Sequence, residues 1–313
     1  MTASSSIPLS AAELAAAVRA GETYQAARLD RVLCIDEAAG LIEVQAATRW
    51  TEIAARLRPG HQRTAMLGAA MASVGESLAA NAAGPDGRPA VKHVQGITLV
   101  LPSGELVRAS RRRNAELFAL AAGGNGVIGA LYSITLEIAS ICAALDEAVG
   151  ADVVAATRAA GAQRALRVLV PPHEVRNFLD DAQSVCSAWR MDLAGVRLRR
   201  THAEEDTLLR WARREYAALS LTLAAPGEVL GSEVRATQLR RALIDAAIAR
   251  AGSFPVHCTP EATRAQAEAC YPELPRFLAE KRRIDPHERF VNPWYRHYRR
   301  LFGAERVPVR FGN

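Results

Sequence analysis

Apolar residues three and four apart open the chain, with Leu14 and Val18 on one face of a helix. Its start, Ser10-Ala-Ala-Glu13, is a pattern in which a hydroxyl and a carboxylate cap free backbone donors. The period then shortens to two. Arg31–Asp36 and Leu41–Gln45 read as strands about a turn at Glu37–Gly40. Trp50–Leu57 reads as a short helix, capped by Thr48 and ended by Pro59-Gly60. Val94–Leu101 and Leu106–Ser110 form a hairpin about Pro102-Ser-Gly104. Asn114 is placed to cap a helix over Ala115–Ala122, Gly123-Gly124 stops it, and Leu131–Ile138 alternates as a strand.

Beyond about residue 140 the pattern changes. Arg164–Val170, Met191–Arg200 and Ala217–Leu223 are strand candidates, with helices expected over His173–Trp189 and Glu204–Arg214. Ala225-Pro-Gly227 is a turn, Ser232–Ala251 is a periodic helix, and Pro293-Trp-Tyr-Arg-His-Tyr298 gives a helical, aromatic end. No internal repeat is visible. Strands first paired and then mixed with helices predict an α+β class.

Composition narrows the choices. A chain of 313 residues fills one large or two modest domains. Half of it is apolar, yet no run reaches the length of a membrane helix. Met1–Ser10 lacks a basic start followed by an apolar block, so no signal peptide is read and a cytoplasmic protein is expected. Cys34, Cys142, Cys186, Cys258 and Cys270 are odd in number and scattered, which suggests buried thiols rather than a disulfide framework, and no metal site. The net charge of +6 comes almost wholly from arginine, Lys92 and Lys281 being the lysines. These cations are spread rather than gathered in an aromatic-flanked stripe, so a small-molecule substrate is expected and a nucleic-acid or membrane partner is not.

Two segments rich in small residues carry the candidate chemistry. Residues 66–84 include Ser73-Val-Gly75-Glu76-Ser77 and Asn81-Ala-Ala83-Gly84, and residues 123–129 read Gly-Gly-Asn-Gly-Val-Ile-Gly. Small side chains let backbone approach backbone or a ligand closely. The second segment follows a helix and precedes a strand, the reverse of the dinucleotide-binding order in Rossmann folds.

Set in their surroundings, these segments resemble the FAD-linked oxidases of the vanillyl-alcohol oxidase type, with a PCMH-type FAD-binding domain. The run from Leu99 to Ser110, then Asn114-Ala-Glu-Leu-Phe118, the glycine loop and Ile134-Thr-Leu-Glu-Ile138 carry the likeness. So do Arg28–Asp36, Ile42–Ala46 and Ser73–Gly84 upstream. Tyr271–Phe290 and Trp294–Tyr298 are similar to the ends of bacterial sugar-lactone and decaprenylphosphoryl-ribose oxidases. The resemblance spans residues 28–140 and 204–313. It implies an FAD-type domain over 1–140, a short α+β cap domain inserted at 141–250, and a return to the first domain over 251–313.

The chain departs from that family at three places. The family's earlier glycine-rich loop, whose amides hold the FAD pyrophosphate, is missing, and Arg19–Arg28 bridges its place, so the domain is truncated. Glu76 and Ala83 stand where the family carries a glycine and a histidine. The family's flavin-facing Tyr-His-Arg-Trp reads Cys258-Thr-Pro-Glu261 here, with Pro260 and Glu261 suited to open a helix capped by Thr259. No histidine or cysteine stands where covalent flavin attachment is expected.

Ser73, Val74, Gly75, Ser77, Asn81, Gly84, Gly124, Gly126, Gly129 and Ala130 are the candidate cofactor contacts implied by the resemblance. His257 on a strand would face the same way as Thr259 and stand in for the missing histidine, while Cys258 would point away. Glu76 and Tyr132 complete the catalytic candidates. Each has a plainer alternative: a satisfied histidine, a solvated loop carboxylate, a strand aromatic, and glycines kept for a turn. Two functions follow. One is a non-covalent FAD oxidoreductase acting on an alcohol or hydroxylated small molecule. The other is a flavin-free descendant, a cyclase, isomerase or lyase using His257 and Glu76 in the vacated cleft, with a non-catalytic scaffold beyond both.

Overall fold

The computed structural model describes residues 5–57, 73–150, 164–224 and 232–303. The expected turn at 225–227 and the stretch 58–72 lie outside these residues. Two antiparallel sheets organise the chain. The larger has five strands in the order β1-β2-β5-β3-β4, from β1 (Val32–Asp36), β2 (Leu41–Gln45), β3 (Val94–Val100), β4 (Leu106–Ser110) and β5 (Ala130–Glu137). Cross-strand pairs Ile42–Leu136, Val44–Ile134 and Ile97–Ile134 are fully or nearly fully buried. Trp50 and Ile53 of α2 (Trp50–Leu57), Val74 and Leu78 of α3 (Val74–Ala79), and Phe118 of α4 (Ala115–Ala121) pack in the same core. Each such side chain removed from water contributes roughly 1.5–3 kcal/mol.

The opening helix, α1 (Ala11–Ala20), is built as its pattern requires. The Ser10 hydroxyl accepts from the Glu13 amide at 3.3 Å, and the Glu13 carboxylate accepts from the Leu9 amide at 2.8 Å. Leu14, Ala15 and Val18 form a second, smaller core with Leu29, Val100 and Ala130, flanked by Tyr24, Tyr132 and Phe290. The bridge after α1 returns directly to the sheet, where the Ala47 amide donates to the Leu29 carbonyl at 2.8 Å.

The second sheet has the order β6-β8-β7, from β6 (Arg164–Val170), β7 (Asp192–Thr201) and β8 (Tyr216–Ala224). Leu166, Val168, Leu219, Leu221 and Leu223 are buried, and α6 (Val175–Ala188) and α7 (Ser232–Ala249) contribute Phe178, Ala182, Leu239, Leu243 and Ala247 to the same core. The chain between the sheets, α5 (Ile138–Gly150), follows β5 without a turn.

A buried carboxylate joins the two sheets. Glu204 is 1 % exposed and its oxygens accept from the amides of Asp206 (2.7 Å) and Thr207 (3.0 Å), the Thr207 hydroxyl (2.5 Å) and Asn81 Nδ2 (3.2 Å). Asn81 Oδ1 accepts from the Val91 amide at 3.0 Å, and its carbonyl accepts from Trp211 Nε1 at 2.8 Å. Asn81 sits in the left-handed region at φ 45°, a conformation asparagine tolerates better than most residues. The same knot corrects the helix expected over Glu204–Arg214: residues 206 and 207 give their amides to a side chain, which competes with a helical ladder.

The chain end packs back onto the opening helix. Arg289 Nη1 donates to the carbonyls of Val18 (2.7 Å), Arg19 (3.1 Å) and Pro102 (3.2 Å). The segment is shaped by Asp285, which accepts from the amides of Arg289 and Phe290 and pairs with the fully buried Lys281 of α9 (Leu274–Ile284). Trp294, Tyr295 and Tyr298 of α10 (Pro293–Phe302) are buried as expected of a packing face. Thr259 does not cap a helix at Pro260. α8 (Arg264–Cys270) starts later, capped by Thr263 with Gln266 in reciprocal bonds, and Thr259 instead donates to the Pro255 carbonyl at 2.9 Å. Asn114 likewise makes no side-chain cap; its amide nitrogen donates to the Arg108 carbonyl.

Asn81→Ala removes two buried hydrogen bonds, strands part of a carboxylate and forces alanine to positive φ, so urea denaturation should show a loss of about 2–4 kcal/mol. A loss under about 0.5 kcal/mol would mean that the knot does not join the two units.

Candidate functional site

A groove of about 750 Å3 lies between the bridge and the N-terminus of α3, lined by Ala26, Asp30, Arg49, Glu52, Ser73 and Glu76 among others. Gly75, Ala46 and Leu131 close its floor. Helix N-termini attract phosphate because their first amides lack partners. Here those amides are all engaged. The Val74 amide donates to the Thr48 carbonyl at 2.9 Å, Gly75 to Ala46 at 2.8 Å, Ser77 to the Ser73 carbonyl at 3.1 Å, and Glu76 to the Ser73 hydroxyl at 3.1 Å. The Ser73 amide (3.0 Å) and hydroxyl (3.2 Å) both donate to Glu76 Oε2. Glu76 thus closes a capping box, and the helix end carries its own anion.

The glycines of the motif have packing reasons. A Cβ at Gly75 would lie 2.7 Å from the Ala46 carbonyl oxygen, one at Gly124 would lie 2.1 Å from that of Leu120, and one at Gly129 would lie 2.7 Å from that of Val100. The loop after α4 is sewn onto α3 by the Gly123 amide to the Leu78 carbonyl (2.9 Å) and the Asn125 amide to Ala79 (2.8 Å). Gly126 differs, with φ +73° and open space around it. It lines a second cavity of about 370 Å3 with Val127, Tyr24, Phe290 and Asn292.

The remaining cofactor candidates are structural in this geometry. Val74 is buried, Ser77 bridges the Ser73 carbonyl and Trp50 Nε1, and the Gly84 amide donates to Arg88. Ala130 belongs to the small core under α1, and Asn81 is spent on the knot between the two sheets. Tyr132 packs in that small core too, its hydroxyl accepting from Gln45 Nε2 at 3.4 Å.

His257 stands apart from these. It lies on a 3-10 turn, Val256–Cys258, rather than on a strand, so the two-residue alternation expected of it with Thr259 does not hold. The segment before it adds to the edge of β6, with the Leu169 and Ser253 amides donating to each other's carbonyls at 2.8 and 2.7 Å. His257 Nδ1 is buried without a hydrogen-bond partner. Burial, and then the nearby Arg167 guanidinium, press its pKa down to about 4. Cys258 keeps an exposed position beside it. No described groove brings His257 together with Glu76 or Tyr132.

The second sheet carries a further group of side chains that the sequence did not single out. On the sheet face away from α6 and α7, register sets Arg167, Ser220 and Arg197 in one cross-strand row, with Arg199 opposite Ala218. None of the three arginines has a hydrogen bond or ion pair among the described residues. Three arginines scattered over two strands announce nothing until strand register lines them up.

Comparison with known proteins fits this architecture. Residues 14–110 match the family described as FAD binding domain. Xylooligosaccharide oxidase from Myceliophthora thermophila C1 superposes with a TM-score of 0.61 at 14% identity, covering 93% of this chain and 91% of the other. The chain shares the fold of this oxidase. 6-Hydroxy-D-nicotine oxidase from Arthrobacter nicotinovorans superposes at 0.62 with 14% identity over 93% and 91% of the two chains. A BBE-like protein of Physcomitrella patens gives 0.61 with 10% identity over 92% and 89%. No curated protein matches the sequence.

A dinucleotide diphosphate bound in a PCMH-type fold needs converging amides or cations. Among the described residues the α3 amides are engaged, and the groove sets the single cation Arg49 against Asp30, Glu52 and Glu76. As it stands, the described part of the groove does not fit a diphosphate. All five cysteines are free, and among the described residues no cluster of metal ligands forms and no helix is long and apolar enough to cross a membrane.

The depressed His257 pKa carries a stability signature. With a folded value near 4 and an ordinary value of about 6.5, the unfolded chain binds the extra proton between those two pH values. Stability is therefore full above about pH 6.5 and falls as pH drops toward 4, by up to about 3 kcal/mol. In His257→Asn the melting temperature should vary less with pH across that window. Parallel wild-type and variant curves would show that His257 is not buried as neutral imidazole.

Proposed function

We propose that the chain is an FAD-linked oxidoreductase that holds its flavin without a covalent bond and oxidises an alcohol or hydroxylated small molecule. The supporting observation is the shared architecture. The fold follows that of FAD-type oxidases over 93% of the chain, and the FAD-binding match covers the bridge and all of the groove's described lining except Leu131. Those relatives are an oxidase of xylooligosaccharides and one of 6-hydroxy-D-nicotine. In such an enzyme the cofactor carries the redox chemistry and the chain supplies binding and orientation. Arg49 is the one cation among the described residues that line that groove.

A second reading, a flavin-free descendant with acid–base chemistry, has a specific observation behind it. The capped end of α3 has no free amide for a phosphate, and Glu76 adds a negative charge there. Purified protein and its titration with FAD separate the two. The first reading expects flavin absorption in the purified protein, or a rise in melting temperature on adding FAD. It also expects Arg49→Ala to weaken FAD binding about tenfold, roughly 1.4 kcal/mol, and Glu76→Gln to strengthen it. A colourless protein with no thermal shift at excess FAD would end the oxidase reading and leave the flavin-free one.

A further inference from the structure

We propose that Ser140, His93 and Asp86 form a second reactive centre, a serine nucleophile with its base and orienting carboxylate, which cleaves small carboxylic esters. Ser140 sits in the first turn of α5, and its Oγ lies 2.8 Å from His93 Nδ1. Behind the ring, His93 Nε2 is 3.5 Å from Asp86 Oδ2. The His93 side chain is wholly buried and Asp86 is 7 % exposed, so water does not screen the pair. A nucleophile within hydrogen-bond reach of a base, itself oriented by a third group, is the diagnostic arrangement of covalent acyl transfer. His93 Nε2 and Asp86 Oδ2 are both buried without a hydrogen-bond partner, so the 3.5 Å between them is an electrostatic contact that closes to a hydrogen bond only with a small shift of the ring. Asp86 Oδ1 is fixed by the Arg88 amide at 3.0 Å, which leaves Oδ2 turned to the ring, with the Arg88 guanidinium 3.8 Å away.

Ser140 opens onto a cavity of about 520 Å3, lined by Arg88, Lys92, Glu137, Ala139, Ala143 and His202 beside it. That volume is in the range of small-molecule sites. In the first turn that carries Ser140, the Ile138 amide is spent on the Gly40 carbonyl at 2.9 Å, and developing negative charge would meet the helix-start amides after it. Lys92 Nζ is held by Asp206 at 3.0 Å, so it contributes a fixed cation to the wall. Burial, partly offset by Asp86, keeps the His93 pKa below its ordinary value, which leaves the imidazole neutral and able to take a proton. Arg88 acts in the same direction as burial and Glu137 in the opposite one.

The chemistry balances with water as the second reactant. Ser140 Oγ bonds to the ester carbonyl carbon as its proton passes to His93 Nδ1, and the carbonyl electron pair moves onto oxygen. The pair returns as the bond to the alkoxide breaks, and His93 hands its proton to that alkoxide. Water then attacks the acyl carbon, gives a proton to His93, and the acid leaves as Ser140 recovers its hydrogen. Asp86 is a positioning residue that holds the imidazole and favours its charged form. The centre is independent of the flavin groove, and nothing in it requires a cofactor.

The test uses the full chain with p-nitrophenyl acetate, together with a fluorophosphonate probe mapped by peptide mass spectrometry. Expected are p-nitrophenolate release and one phosphonyl adduct on Ser140. Ser140→Ala should lose at least about 100-fold in kcat/KM while the variant remains folded with a single cooperative melting transition. Asp86→Asn should lower the apparent pKa of the rate profile as well as kcat, because the anion that favours charged His93 is gone, and loss of packing alone would not move that pKa. Wild-type protein that is folded but acquires no adduct on Ser140 overturns the proposal. So does a Ser140→Ala variant that hydrolyses the ester at the wild-type rate.

Discussion

The structure turns on a buried carboxylate that would be costly if left alone. Glu204 lies in the chain that leaves the second sheet, yet its oxygens collect two amides, a hydroxyl and the Asn81 side chain. Burial pushes its pKa up, and the hydrogen bonds from Thr207 and Asp206 oppose that. Removing one partner of such a group leaves part of a desolvated acceptor unmet, which costs more than the bond was worth. The consequence is geometric. Asn81 is held between α3 and the glycine loop, with Trp211 donating to its carbonyl, so the second sheet is fixed against the end of the first.

The same accounting of donors and acceptors separates fold from chemistry. A groove lies beside α3, but at the helix end that borders it every amide from Ser73 to Ser77 has a protein partner. Three glycines that look like concessions to a ligand are concessions to Ala46, Leu120 and Val100. A motif read as ligand-facing can therefore be kept by packing alone, since a Cβ at 2.1 or 2.7 Å from a carbonyl oxygen is not tolerated whatever the groove holds. Gly126 lacks that explanation, with open space where its side chain would be and a cavity beside it. Inheritance of the fold and inheritance of the cofactor are thus distinct questions, answered by different atoms.

Much of the architecture was legible because it is local. The alternation of Leu41–Gln45 and Arg164–Val170, and the capping serine before Glu13, each fix an element within a few residues. The errors fell where long-range partners decide. Glu204–Arg214 has helical spacing, but Asn81, far away in sequence, competes for its first carboxylate. The spacing of His257 and Thr259 predicts one face of a strand, yet Pro255 and the pairing of Ser253 with Leu169 turn the chain first. Glu76 looked like a solvated or catalytic carboxylate; Ser73, three residues before it, was the available signal that it caps. The row Arg167–Ser220–Arg197 had no signal at all, because strand register is not written at any one position.

The junction between the sheets is also where unabsorbed polarity collects. The Gly87 carbonyl accepts from the His202 amide at 2.8 Å, and a Cβ at Gly87 would lie 2.4 Å from the Arg200 carbonyl oxygen, so the loop carrying Asp86 is pressed onto the second sheet. On its other side the Arg111 guanidinium donates to the carbonyls of Val94 and Val91 and to Asp206, which holds both ends of the short stretch that contains His93. A histidine so tightly framed has few ways to relax, and its ring is left between one serine hydroxyl and one carboxylate. If packing were the only demand, an apolar side chain of similar volume would fill that space without the desolvation cost of two polar groups. The cost is borne at the one place where β5 runs straight into a helix N-terminus and a cavity opens beside it. Rigid framing, a neutral imidazole and a positive helix end are the ingredients that lower the barrier for a hydroxyl to act as a nucleophile.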